Sequence, residues 1–141
     1  MSDIIHLSYM VDGDDFTRAG EASSDLKSKL KQMGVDPEVI RKVAIAMYEG
    51  EINMVIHAHG GTIEVDVSED KVVMVLKDNG PGISDIKKAM TAGYSTASEN
   101  VRSLGFGAGM GLPNMDKYSD NMKIDTAVGK GTTITMDVQM K

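Results

Sequence analysis

The sequence predicts an α+β fold, a two-layer sandwich in which a mixed, mostly antiparallel sheet carries helices on one face. Three observations predict it. An early stretch places apolar residues three or four apart and a second, capped one is nearly all apolar at its centre, short apolar runs with strand character precede and follow them, and no segment repeats or reads as a linker. The 141 residues suit a single domain over 1–141, because a chain of this size buries roughly 68–70% of its unfolded surface.

The elements follow in order. Ile4 to Val11 sets Ile5, Leu7, Tyr9 and Val11 on one side and reads as a strand. Asp12-Gly13-Asp14-Asp15 reads as a turn and helix cap. From Asp15 to Met33 the spacing of Phe16, Ala19, Ala22, Leu26, Leu30 and Met33 predicts an amphipathic helix that Gly34 ends. Asp36-Pro37-Glu38 supplies a cap and a first-turn proline for a second helix, running to about Ala58 and stopped by Gly60-Gly61. Its centre is nearly all apolar, which predicts burial on most sides. Thr62 to Ser68 and Val72 to Lys77 form a predicted hairpin. A glycine- and proline-rich loop from Asp78 to Ile83 leads to a short helix, Ser84 to Met90, and residues 91–110 lack periodicity and read as one long loop. Leu112-Pro113 opens a last helix, and Met122 to Ala127 and Thr132 to Met140 are strands about a Gly129-Lys130-Gly131 turn. That makes about five strands and four helices.

Composition narrows the function classes. A formal charge of −6 argues against nucleic acid or an anionic membrane as the main partner. With no cysteine, neither disulfides nor thiolate metal sites are available. No apolar run approaches the ~20 residues of a membrane span, and the start of the chain lacks signal-peptide character, so a cytoplasmic location is the expectation. The 12 methionines predict an adaptable core.

Four segments carry chemistry. Glu49 and Asn53 lie four apart on the second helix, so both side chains leave one face, a turn apart. An amide oxygen and a carboxylate at that spacing can share a magnesium ion, the amide ligating while the carboxylate holds a water or accepts a proton. Taken alone the pair reads as a solvated polar stripe, continued by His57; its setting on an apolar helix argues for a task. Asp78 follows a hydrophobic strand and precedes Asn79-Gly80-Pro81-Gly82. Glycines there admit close approach of a flat ligand, and a strand-end carboxylate can accept from the exocyclic amine of adenine, the donor that separates ATP from GTP. By itself this segment is strong turn chemistry.

Gly105, Gly107, Gly109 and Gly111 alternate just before a helix start, where free N–H groups can hold phosphates. No Gly-Lys-Ser/Thr ends the run, and it does not join the first strand to its helix, which excludes Walker and dinucleotide-binding loops. Arg102 is the only basic residue between Lys88 and Lys117. Beside the phosphates it can neutralise γ-phosphoryl charge; otherwise it is a surface arginine. Gly129-Lys130-Gly131-Thr132 is the fourth segment.

In this combination and order the chain resembles the GHKL (Bergerat-fold) ATP-binding superfamily over nearly its whole length. Glu49-x-x-x-Asn53 is similar to its N box, Asp78-x-Gly80-x-Gly82 to its G1 box, Gly109-x-Gly111 with the preceding glycines to its G2 box, and Gly131-Thr132 to its last box. Gly93-Tyr94-Ser95-Thr96 and Gly109-Met110-Gly111-Leu112-Pro113-Asn114-Met115 make it most similar to bacterial anti-sigma-factor and switch-protein serine kinases of the RsbT, RsbW and SpoIIAB type. The 48 residues before Glu49 are taken up by the first strand and helix, with no room expected for sensor-kinase phosphoacceptor helices.

The resemblance implies ATP and Mg2+ as cofactors and transfer of the γ-phosphoryl group to serine or threonine of a STAS-domain partner, of the anti-sigma-factor-antagonist or stressosome-scaffold type. It implies Glu49 as general base, Asn53 on magnesium, Asp78 and Thr132 on adenine, and the G1 and lid residues Gly80, Gly82, Gly105, Gly107, Gly109, Met110, Gly111 and Leu112 around the nucleotide. Gly105-Phe106-Gly107-Ala108 departs from the pattern by lengthening the glycine stretch, which leaves open which N–H groups touch phosphate. The alternative is a nucleotide-dependent binding module that sequesters a sigma factor or activates a partner phosphatase; an ATP-binding subunit of a histidine phosphorelay is a third reading. A homodimer through the first strand and helix is open.

Overall fold

Alternation along the first eight-residue strand sets the frame. In the computed structural model, which describes residues 4–13, 18–57, 60–80 and 111–140, β1 (Ile5–Asp12) pairs antiparallel with β2 (Gly60–Val67), opposing Leu7 to Val65 and Tyr9 to Ile63. The hairpin to β3 (Lys71–Asp78) closes through Ser68 and Lys71. β5 (Gly131–Gln139) then lies between β3 and β4 (Asn121–Ala127). The order is β1-β2-β3-β5-β4, and every pairing is antiparallel.

Period-two alternation sorts the sheet into two faces. Ile63, Val65, Val67, Val72, Met74, Leu76, Ile134, Met136 and Val138 are buried on one face, while His6, Ser8, Glu64 and Asp66 occupy the open face. Helices α1 (Glu21–Gln32), α2 (Pro37–His57) and α3 (Gly111–Tyr118) belong to the buried layer, through Leu26, Leu30, Val43, Met47, Met54 and Met115. Five of the methionines, Met47, Met54, Met74, Met115 and Met136, are core residues, in keeping with the expected adaptable filler.

The second helix is capped as its sequence implies: the Glu38 N–H donates to Asp36 Oδ1 at 2.8 Å. It is the central helix, touching α1, α3 and four strands. The first helix begins later than its apolar spacing suggests. Gly20 sits at φ 97°, in the left-handed region, and helical hydrogen bonding starts at Glu21. Its first N–H groups are capped by Glu51 of α2, a carboxylate only 2% exposed, while Asp14 and Asp15 of the cap expected from the sequence lie outside the described residues. That carboxylate accepts from the N–H groups of Gly20 (2.9 Å), Ala22 (3.2 Å) and Ser23 (3.0 Å) and from the Ser23 hydroxyl (2.6 Å). Orphan helix donors are thereby satisfied by another helix. Phe16, the helix at Ser84 to Met90 and the loop over 91–110 lie outside the described residues.

β1 is tied to α1 by the Tyr9 hydroxyl, which donates to Asp25 Oδ2 at 2.7 Å while Lys29 Nζ donates to the same oxygen at 2.5 Å. Lys29, then Tyr9, hold the Asp25 carboxyl below the usual range; burial, then Asp25, push the Tyr9 phenol up. No described helix is long and apolar enough to cross a membrane.

Candidate functional site

Segment Glu49-Gly50-Glu51 lies where α2 crosses the end of β3, and each residue has a different neighbour. Gly50 allows the crossing: a Cβ there would stand 2.3 Å from Leu76 Cδ2 and 3.0 Å from Met115 Cε, far inside van der Waals contact. Glu51 points toward α1 as its cap. Glu49 points the other way. Half-buried, it accepts from Asn114 Nδ2 of α3 at 3.0 Å through Oε2, and Oε1 has no partner among the described residues.

Asn53 stands one turn on, also half-buried, with Nδ2 turned to Met115 Sδ at 3.9 Å. Sulfur is a weak acceptor, so the contact orients the amide more than it stabilises it. Its Oδ1 also has no partner among the described residues. A hard, neutral oxygen near a carboxylate suits a hydrated magnesium ion, which keeps several of its waters and takes few protein ligands. The donor set fits that ion. No cluster of three or more histidine, aspartate or glutamate residues among the described residues offers a competing cage.

Asp78 is the last residue of β3 and pairs with Thr132 across the ladder. Its Oδ1 is held by the N–H groups of Gly80 (2.9 Å) and Thr132 (3.1 Å). Oδ2 has no partner among the described residues and is an acceptor at the strand end. Thr132, 7% exposed, shares a hydrogen bond with Thr126 at 2.8 Å, while Thr126 Oγ1 donates to the Gly131 carbonyl at 3.1 Å. Either hydroxyl can carry the proton between Thr126 and Thr132, and in both cases Thr132 Oγ1 retains acceptor capacity. A held carboxylate and a hydroxyl at one strand end can meet the polar edge of a flat ligand.

Two glycines bring these pieces together. At Gly61 a Cβ would meet Met54 Cε at 2.7 Å and Asp78 Cα at 3.1 Å, so the residue after Asn53 reaches the Asp78 end of β3. Gly131, at φ 91°, leaves room for the Asp78 carbonyl, 2.2 Å from where its Cβ would be. Met54, the residue after Asn53, thus packs at the end of β3 where Asp78 holds Gly80 and pairs with Thr132, and Glu49 lies one helical turn before Asn53 on α2. Gly111 opens α3, and Leu112 is buried in the core, 7% exposed. Gly82, Arg102, Gly105, Gly107, Gly109 and Met110 lie outside the described residues.

Sequence reasoning missed three contributors. Asn114 was legible only as part of a motif, and Thr126 carried no signal beyond facing Thr132 across a turn. Glu51 was overlooked because the question of a carboxylate on an apolar helix was attached to Glu49; the fully buried one is Glu51.

The comparisons with known proteins point to one family. A family model described as a histidine kinase-like ATPase domain matches residues 14–138. An anti-sigma F factor of Thermoanaerobacter is 33% identical over 109 residues, covering 72% of this chain and 73% of its own. RsbT of Bacillus subtilis, a serine/threonine-protein kinase by name, is 29% identical over 108 residues, covering 74% and 75%. Among solved structures, the RsbU and RsbW domains of a Mycobacterium tuberculosis protein share the fold with a TM-score of 0.63 at 17% identity, over 95% of this chain and 31% of that one.

Proposed function

Since the chain belongs to the histidine kinase-like ATPase family, in its group of GHKL anti-sigma factors and switch-protein kinases, we propose that it is an ATP-dependent serine/threonine protein kinase. In this reading it acts as one domain over 1–141, and its substrate is a STAS-domain protein of the anti-sigma-factor-antagonist or stressosome-scaffold type. The observation that carries the reading is the pair of open oxygens on α2, Glu49 Oε1 and Asn53 Oδ1, beside the base-recognising pair Asp78 and Thr132.

The residues divide the task. Asp78 Oδ2 accepts from the adenine amine, and Thr132 Oγ1 accepts from an ordered water that completes the base contacts. Asn53 Oδ1 holds Mg2+, which when bound neutralises phosphate charge. Glu49 Oε1 takes the proton of the target hydroxyl, and the hydroxyl oxygen bonds to the γ-phosphorus as the bridging P–O bond breaks and its electron pair leaves with ADP. The G1 glycines Gly80 and Gly82 admit the flat base, and the lid residues Gly105, Gly107, Gly109, Met110 and Gly111 wrap the phosphates, with Arg102 against the γ-phosphoryl charge. Such transfer is largely positioning and charge neutralisation, so a small domain suffices.

A second reading is supported by the names of several relatives, which are anti-sigma F factors. There the nucleotide governs binding of a sigma factor, or of a partner phosphatase, and transfer is secondary. Incubation with ATP, Mg2+ and candidate STAS proteins separates the two. The kinase reading expects phosphoserine or phosphothreonine on a STAS partner, lost in Glu49→Gln. ATP-dependent capture of a sigma factor, with no phosphorylated partner and no effect of Glu49→Gln, replaces it with the binding reading.

A further inference from the structure

The helix that begins at Gly111, where the alternating glycines end, presents two neighbouring residues to α2. Asn114 donates to Glu49 Oε2 at 3.0 Å, and Met115 accepts from Asn53 at 3.9 Å. The contacts engage Glu49 Oε2 and Asn53 Nδ2, and leave Glu49 Oε1 and Asn53 Oδ1 without a partner among the described residues. Seating of α3 on α2 does not depend on Asn114. Leu112 and Met115 are buried in the core, and the Tyr118 ring lies beneath the Arg41 guanidinium, 5.5 Å from its centroid.

We propose that Asn114 is a positioning residue for phosphoryl transfer, fixing the Glu49 carboxylate so that Oε1 faces the target hydroxyl. The proposal rests on the kinase reading of this site. A glutamate side chain has three rotatable bonds, and an unanchored half-buried carboxylate samples several orientations. One donor on a packed helix selects among them. The donor's chemistry matters too. A carboxamide holds the oxygen without adding positive charge, whereas a lysine or arginine there would stabilise the ionised acid and weaken it as a base. Asn114 touches none of the reacting atoms in this arrangement. It also places the orientation of the base on the same helix that ends the glycine run, so that withdrawal of α3 from α2 would release Glu49.

Asn114→Asp tests this, because it keeps the shape while opposing Glu49 with an acceptor. The expected result is a kcat lowered about tenfold or more, with KM for ATP and the nucleotide dissociation constant within about twofold of wild type. A change in α3 packing alone would act on KM and nucleotide binding instead. The exchanged pair Glu49→Gln with Asn114→Asp restores a donor opposite an acceptor. It should recover the fall of about 2–4 °C in Tm expected for Asn114→Asp alone, without recovering transfer. Unchanged kcat in Asn114→Asp, a loss carried by KM, or no recovery of Tm in the exchanged pair overturns the positioning role. A wild-type chain that transfers phosphate to no STAS partner fails differently: it overturns the kinase reading and the positioning role with it, whatever the exchanged pair shows about the contact.

Discussion

Glu49 and Glu51 stand two residues apart on α2 and meet opposite surroundings. Glu51 is 2% exposed and accepts four hydrogen bonds, three from the backbone that begins α1. Glu49 is half-buried and among the described residues accepts one, from a side chain. The same chemical group is a cap on one face of the helix and, in the kinase reading proposed above, a reagent on the other. What decides is how many donors converge on it. A carboxylate whose acceptor sites are filled by fixed N–H groups is held to its structural task, whereas one with an open oxygen is available to accept from a partner.

The largest expected effect follows from breaking the saturated member. Glu51→Ala removes the cap and leaves three backbone N–H groups and the Ser23 hydroxyl without their acceptor. The expected cost is about 3–5 kcal/mol, seen as a Tm lower by roughly 10–15 °C. Glu51→Gln should fall between, since a carboxamide keeps one acceptor oxygen but turns an NH2 toward donors. A small loss in Glu51→Ala would show that α1 is held by its apolar face alone.

Glu49→Gln sharpens the contrast from the other side. Stability should change by less than about 1 kcal/mol, because the site loses one half-buried contact. Transfer to a partner should fall about 10²- to 10⁴-fold, the range for loss of a general base. Paired melting and phosphotransfer measurements on the two variants give the comparison directly. Equal stability losses would mean that the two carboxylates do the same work.

The comparison also shows what a sequence can disclose. Strands and their faces were readable because alternation is local, and Ile5, Leu7, Tyr9 and Val11 had no other use for their spacing. The Glu49–Asn53 pair was readable because four residues make one helical turn. Asp78 was readable as the end of an apolar run. Glu51 and Asn114 were not, because their partners lie 28 to 31 and 65 residues away, and no period spans those distances. The same reason misplaced the start of α1: the apolar spacing runs back to Phe16, but the break at Gly20 depends on donors turned toward a different helix. Apolar pattern reports which face is buried; it does not report which buried polar atoms meet.

Two glycines about the last turn extend the contrast between filled and open space. Gly129 and Gly131 both have positive φ, 80° and 91°. A Cβ at Gly131 would collide with the Asp78 carbonyl and stand 2.9 Å from Asn79 Cα, whereas nothing lies within 4 Å of one at Gly129. Gly129→Ala should therefore cost only the left-handed strain, about 1–2 kcal/mol. Gly131→Ala should cost about 3 kcal/mol, because it adds a backbone clash to that strain. Only the second displaces Asp78, so only the second should also weaken nucleotide binding by calorimetry. Equal affinity losses would separate Asp78 from the nucleotide.

The smallest effect belongs to the open face of the sheet, where nothing is buried and yet a cluster is well bonded. His6 lies between Asp66, 2.6 Å from Nδ1, and Glu64, 2.8 Å from Nε2, and Ser8 donates to Glu64. Hydrogen bonds to Asp66 and then Glu64 raise the His6 pKa above 6.5, and the Ser8 hydroxyl, foremost, lowers that of Glu64. A raised histidine pKa means that the folded state holds the proton more tightly. The His6 contribution is therefore fully present below the unfolded value near 6.5 and is lost as pH rises through the higher folded value. The Glu64 contribution has the opposite sign of dependence: present above the unfolded carboxylate value, it is lost as pH falls through the lowered one. Both operate together between about pH 5 and 6.5, so Tm should decline gently from there toward pH 8. His6→Gln should flatten that decline, and added salt should shrink it, as for any exposed pair. A decline that His6→Gln leaves intact would assign the pH dependence to other groups, and the cluster would then be bonded without contributing measurably to stability.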